Sequence, residues 1–409
     1  MDMESELLLA VLEDCWECGY EAPESMTSFK VEGRSGNKKR DRTDVAAKIL
    51  CLSDNEFKRL YRLDKRDFDD LLDKITPEVS SARHTQQAKN SSGGPVLPVV
   101  KLAVTLRFLA GGSHLDIAFT YNVDANYVYP IVWQCAAAIK KTVNNVIFPF
   151  GDRPALERLA DGFASIKNNG WWGTVAAGDG VVFKMVAPSG KFCNGQVTQF
   201  FSRKGFYCFG LQAFCDSNCK LLSVSSQMCT STHDSTAYIA TSVSRAIERS
   251  KQMKKNGVPD DQLPLPKDFH IVLDEGYVCD GQQLSPHRGS DLPADKDTFN
   301  YFLSLHRQCI ERAFGLLTQR WGILWRPLRV KPTNLPILFQ TLCKLHNICV
   351  DRFGSARGTV KISHNASELV SHATERHPAR DPVNMRSLFT DGFGVKRGGR
   401  VAYQNVIES

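Results

Sequence analysis

The stretch FHIVLDEGY (269–277) decides the fold class. Phe269 to Leu273 is a near-continuous apolar run, the pattern of a strand buried on both faces. An acid placed directly after such a strand, here Asp274, stands at its C-terminal edge, where α/β sheets carry their chemistry. A helix cap or a turn is the plainer reading of the same residue. Three further strand-like runs lie upstream: TVAAGDGVVFKMV (174–186), FYCFGLQAF (206–214) and KLLSVSSQM (220–228). Helical segments follow the third and fourth runs. Three consecutive strands, then helix, strand and helix, predict an α/β domain over 165–352, a mixed sheet with flanking helices.

Topology then groups acids. If the first three strands form an antiparallel meander, the first and third run in parallel and share an edge at their C-terminal ends. A fourth strand parallel to the first adds Asp274 to that edge. Asp179 lies between Gly178 and Gly180 in the first run, where the glycines permit close approach of backbone or ligand; a G-D-G turn is the alternative. Asp234, in STHDS, opens the helix after the third strand, where an acid is also favoured by the helix dipole alone. Glu311 belongs to a helix expected over 299–322, whose apolar stripe is Leu303, Ile310, Ala313, Phe314, Leu317 and Trp321. At about 100° per residue it falls on the flank of that stripe. Gly315, one turn on, would leave room for DNA or metal. A surface pair with Arg307, four residues earlier, is the competing reading. Acids at strand ends with one on an adjacent helix suit two divalent cations about 4 Å apart, an arrangement that activates and stabilises the oxygens of phosphodiester cleavage.

The N-terminal half reads differently. Residues 1–45 pass into the polar, basic GRSGNKKRDR and are expected to be flexible; its cationic cluster, Lys38, Lys39, Arg40 and Arg42, fits a nuclear-import or DNA-backbone patch as well as a solvated linker. Residues 46–145 are expected to be helical, broken by a linker over 80–95. Within them DIAFTYNVDANYVYPIVWQ (116–134) fits a helix-turn-helix template, with a purely structural helical bundle as the competing reading. Ala118 allows close packing, Asn122 suits a left-handed turn, Val123 plugs the core and Asp124 caps the second helix. Base contacts would fall to Asn126, Tyr127, Tyr129 or Gln134, because that helix has no Lys or Arg up to 134, and Pro130 interrupts it. Arg203 and Lys204, between the first two strand runs, are candidate phosphate contacts or a solvated hairpin tip. His346, on an apolar helix, reads as a hydrogen-bonded core histidine. The polar end, 353–409, is expected to be a flexible tail.

Bulk composition narrows the class. Hydrophobic residues at 42% and charged residues at 23% make an ordinary soluble balance, and a net charge of +7 suits a polyanionic partner. No run approaches the roughly 18 apolar residues that span a bilayer, so no membrane partner is expected. Thirteen cysteines, scattered through apparent core, read as reduced thiols of a cytosolic or nuclear protein. The spacings Cys15–Cys18 and Cys215–Cys219 are read as chance pairs, since a structural zinc site takes two suitably spaced pairs.

AAGDG (176–180), SRKGFY (202–207), STHDS (231–235), LDEGY (273–277), IERAFGLL (310–317) and LHN (345–347), in this order and spacing, resemble the PIF/Harbinger transposases and the nucleases derived from them. The resemblance covers about 55–350. It implies a fold like ribonuclease H and a DDE triad of Asp179, Asp274 and Glu311, with Asp234 as an additional metal ligand. It further implies magnesium or manganese, nuclear action on DNA, and often a separate Myb-like DNA-binding partner protein; a homo-oligomer is compatible with it. Two departures stand out: Gly178 precedes Asp179 where an apolar residue is more usual, and Pro130 lies in the helix-turn-helix. The expected function is metal-dependent cleavage of phosphodiester bonds at transposon ends. The alternative is a domesticated, non-cutting DNA-binding or scaffold protein that keeps the fold.

Overall fold

Local signals for starting and stopping helices account for most of the helical N-terminal half. In the computed structural model the described residues are 43–80, 95–168, 171–193, 195–202, 205–228, 234–277, 279–289 and 292–354. The two expected flexible ends, apart from 43–45 and 353–354, and most of the 80–95 linker, with Cys15, Cys18, Arg203 and Lys204, lie outside them; residues 43–45 and 353 are helical rather than flexible. Helix α1 (Thr43–Cys51) leads to α2 (Asp54–Tyr61), where Ser53 and Glu56 form a capping box. Helix α3 (Lys65–Val79) is capped by Asp64, which accepts from the Asp67 amide at 2.8 Å. Pro98 opens α4 (Pro98–Leu109), a position where its missing N–H costs nothing. Helix α5 (His114–Thr120) is followed by Asn122 at φ 51, buried Val123, and Asp124, the N-cap of α6 (Ala125–Thr142). Pro130 is carried inside α6 without ending it.

Helix α7 (Arg153–Ala164) then introduces the sheet. Its strands are β1 (Thr174–Lys184), β2 (Cys208–Cys215), β3 (Leu221–Met228), β4 (His270–Val272) and β5 (Gln283–Leu284), in the order β3-β2-β1-β4-β5. β1, β2 and β3 pair antiparallel as a meander, and β4 and β5 add parallel to β1. Helices α8 (Asp234–Ile239) and α9 (Ser242–Lys255) follow β3; α10 (Ala294–Arg320) and α11 (Leu335–Phe353) follow β5.

Alternation along the strands produces three layers. Phe209, Leu211, Ala213 and Cys215 of β2 join a core with Leu303, Cys309 and Ile310 of α10 and Phe339 of α11. Phe214 and Ile271 face the other way, with Leu156 and Ala160 of α7 and Val243 and Ile247 of α9. The first of these cores does not stop at the sheet. It continues through α11 into Phe57, Phe68, Leu102 and Ile131, so the regions 46–145 and 165–352 share one hydrophobic interior. Backbone approaches confirm the contact: Gly111, at φ 99 just after α4, lies against Gly322 just after α10, and a Cβ on Gly322 would sit 2.4 Å from the Ala110 carbonyl oxygen. The ten described cysteines are free thiols.

Candidate active site

β1 and β4 set the first two acids side by side. Ala177 is level with Val272 in their parallel register, so two residues further along Asp179 is level with Asp274, just past the end of β4. Gly178 is required by packing: a Cβ there would lie 2.4 Å from the Phe214 ring and 2.9 Å from Leu273. Its place before Asp179 thus reflects a crowded face rather than approach by a ligand. Asp179 shares the α10 face of the sheet, and α10 brings Arg307 and Glu311, one turn apart, over it.

The three carboxylates meet at one guanidinium. Arg307 Nη2 lies 2.9 Å from Glu311 Oε1 and 3.7 Å from Asp179 Oδ2, and Arg307 Nη1 lies 3.2 Å from Asp274 Oδ1. Arg307 is the more enclosed partner, with 16% of its side chain exposed against 47% for Asp274 and 42% for Glu311. Its Nε is buried and has no hydrogen-bond partner among the described residues. Burial pushes Asp179 up to about 6; Arg307 and the Gly180 amide, which donates to its Oδ1 at 2.7 Å, pull it back, while Asp274 and Glu311 push it further up. The Glu311–Arg307 pair expected of a surface helix does form, as one arm of a larger cluster. One turn beyond Glu311, a Cβ on Gly315 would meet nothing within 4 Å.

A second row of side chains holds the loop after β4. Tyr277 of LDEGY donates to Gln212 Oε1 at 3.1 Å, and Gln212 is the register partner of Gly180. The Tyr238 ring packs edge-on to Tyr277 at 5.6 Å. Asp234, the first residue of α8, is therefore one helical turn before a side chain anchored beside the loop that carries Asp274; its own side chain lies outside the described residues. Deeper in the sheet, Trp171 donates to His270 Nε2 at 3.2 Å, and Thr174 Oγ1 lies 2.8 Å from that nitrogen and 2.9 Å from His306 Nδ1. LHN is structural. His346 Nε2 donates to the Cys219 carbonyl at 2.9 Å, as its apolar helix suggested, and Asn347 brackets both backbone groups of Leu221.

On the helical side, Asn126 and Tyr127 are exposed at the start of α6. Two other expected base readers are committed elsewhere. Gln134 accepts from Lys101 Nζ at 3.0 Å, and the Tyr129 ring packs on Phe108 and His114. The pattern located them on the helix but not which face the neighbouring helix α4 would cover.

Residues 178–347 match the family model of a DDE superfamily endonuclease. The matched stretch begins at the glycine before Asp179, contains Asp234, Asp274 and Glu311, and closes on Asn347. The matched stretch thus covers most of the sheet and the helices that carry the carboxylates, and that part of the chain is similar to a DDE superfamily endonuclease. No curated protein and no solved structure matches the chain.

The DDE superfamily's use of divalent metal can be weighed against these side chains. Three carboxylates offer hard oxygen donors suited to magnesium or manganese, and a cation already sits among them. Among the described residues no three such side chains enclose an ion position as they stand, because the guanidinium fills the centre. The donor chemistry fits a metal; the present spacing is that of an arginine complex.

Proposed function

We propose that this protein is a metal-dependent DNA endonuclease of the PIF/Harbinger transposase kind, acting in the nucleus through Asp179, Asp274 and Glu311. The observation that carries the reading is the meeting of three acids from β1, the end of β4 and α10 around one cation, inside a stretch that matches a DDE endonuclease. Clustered carboxylates repel one another, and a fold gains nothing in stability by gathering them. When bound, magnesium or manganese supplies an activated water and stabilises the leaving oxygen of a phosphodiester. Asp179 on β1 and Asp274, just past the end of the adjacent parallel β4, would provide the floor of such a site, and Glu311 the wall from α10. Asp234, at the start of α8, is a further candidate ligand. Gly315, where even a Cβ would meet nothing within 4 Å, is a candidate point of approach for the DNA backbone. Asn126 and Tyr127 are candidate base contacts, Arg203 and Lys204 candidate phosphate contacts, and a Myb-like partner protein would supply further DNA affinity.

Nicking of supercoiled plasmid with Mg²⁺ or Mn²⁺, compared between wild type and Asp274→Asn, tests this. Metal-dependent nicking by wild type alone is expected. Equal nicking by both proteins, or none by wild type with either metal, would overturn the assignment.

A further inference from the structure

Arg307 is placed where the proposed metals would go, and among the described residues its ion pairs are with the three carboxylates alone. Its two terminal nitrogens reach all three acids, yet its buried Nε has no hydrogen-bond partner among the described residues. A guanidinium built permanently into a protein interior has its donors satisfied, since each buried unsatisfied donor is costly. The contact to Asp179, at 3.7 Å, is also longer than a hydrogen bond. One cation facing three acids leaves a net negative cluster, which still attracts a stronger cation. A guanidinium has no lone pair and cannot ligate a metal, so once dications take the carboxylates Arg307 is both unpaired and repelled. The nearest anion then available is the phosphate of bound DNA, for which the planar fork of arginine is suited.

We propose that Arg307 is a partner-switching residue: it holds Asp179, Asp274 and Glu311 together without metal, yields them to incoming metal, and then grips the DNA phosphate. This rests on the metal-dependent reading above. It makes Arg307 a positioning residue for the acids in one state and a substrate contact in the other. It also explains why the carboxylates are gathered but do not yet enclose an ion.

The test uses the full chain and two readouts other than cleavage. Mn²⁺ binding without DNA is measured by calorimetry for wild type, Arg307→Gln, Arg307→Lys and Glu311→Gln. Removing the competing cation should tighten Mn²⁺ binding by Arg307→Gln about tenfold or more, Arg307→Lys should stay near wild type, and Glu311→Gln should bind weakly. A merely structural role for Arg307 predicts equal or weaker metal binding in Arg307→Gln. Affinity for a DNA duplex is then compared in EDTA and in Ca²⁺, a dication used to occupy the site. Arg307→Gln should match wild type in EDTA and bind more weakly in Ca²⁺, with a salt dependence shallower by about one phosphate contact. Should Arg307→Gln be unfolded without metal, refolding at Mn²⁺ concentrations below the wild-type Kd supports the proposal, and failure to fold at any concentration overturns it. Wild type binding Mn²⁺ with Arg307→Gln no tighter overturns the switch and leaves the metal reading standing. No Mn²⁺ binding by any of the four proteins overturns both.

Discussion

At the scale of single residues, Glu311 separates chemistry from architecture. Glu311→Gln keeps shape and helix while removing one charge from an exposed position on α10. Loss of its pairing with Arg307 should change stability by no more than about 0.5 kcal/mol, while plasmid nicking should fall roughly 100-fold or more, the scale seen when one preorganised electrostatic group is removed. Thermal unfolding and nicking measured side by side on both proteins check this; equal loss in the two readouts would make Glu311 structural. The glycines give a paired expectation. Gly178→Ala must push against the Phe214 ring and Leu273, at 2.4 and 2.9 Å, and should cost about 1–3 kcal/mol by overpacking. Gly315→Ala meets nothing and should stabilise α10 by up to about 1 kcal/mol; nicking lost despite a raised Tm would show that DNA uses that space. That Asp179, Asp274 and Glu311 come together was legible in the sequence, because strand order, the end of an apolar run and helix periodicity are local patterns. Arg307 was visible only as the partner of Glu311. Its link to two strands depends on how α10 crosses the sheet, which no spacing within one helix reveals.

At the scale of elements, the meander and the parallel fourth strand followed from apolar runs long enough to show their pattern. β5, only Gln283–Leu284, carries no periodicity and went unseen. The same limit applied to Tyr129 and Gln134, whose face on α6 is decided by α4. The helical region looked separable because a polar linker and a change of pattern flank it, yet its interior is completed from far along the chain. Thr341 of α11 donates to the Ala136 carbonyl at 3.1 Å, and Arg352 pairs with Asp67 at 2.8 Å and Asp64 at 3.1 Å. A fragment ending at residue 145 should therefore expose the apolar face that α11 covers. It is expected to keep helical circular dichroism, bind a hydrophobic dye and unfold without a cooperative transition. A sharp two-state transition in that fragment would show that the helical region stands alone.

For the molecule as a whole, three interior histidines set the response to acid. Burial drives His270 down to about 3, with His306 beside it adding to the effect, and lowers His306 and His346 to about 4. Unfolded histidines titrate near 6.5, so the unfolded chain takes up protons first as pH falls. The neutral interior rings contribute their full stability above about pH 6.5. That contribution is lost progressively from there toward pH 4, at up to about 1.4 kcal/mol per pH unit for each histidine. Urea midpoints at pH 7.5, 6 and 5 should fall in that order; a midpoint constant across the range would show that these rings are not buried neutral. His346 was readable as a core residue from its apolar helix. His270 and His306 were not, since they meet through Thr174 across two strands and a helix.

The long reach of α11 also has a consequence for how the chain is made. Arg352 and Asp67 are 285 residues apart, and the Cys349 thiol reaches the Arg62 carbonyl across 287. At a synthesis rate of about 5–20 residues per second, the ribosome needs roughly 15–60 s to deliver the helix that closes the first core. Throughout that interval the side of α3 that α11 covers waits uncovered, and the matching side of α6 waits for the 205 residues that separate Ala136 from Thr341. The nascent chain is thus expected to be a client for chaperones until α11 has emerged, and slower elongation or a premature stop after α10 should yield an aggregation-prone product rather than a smaller folded protein.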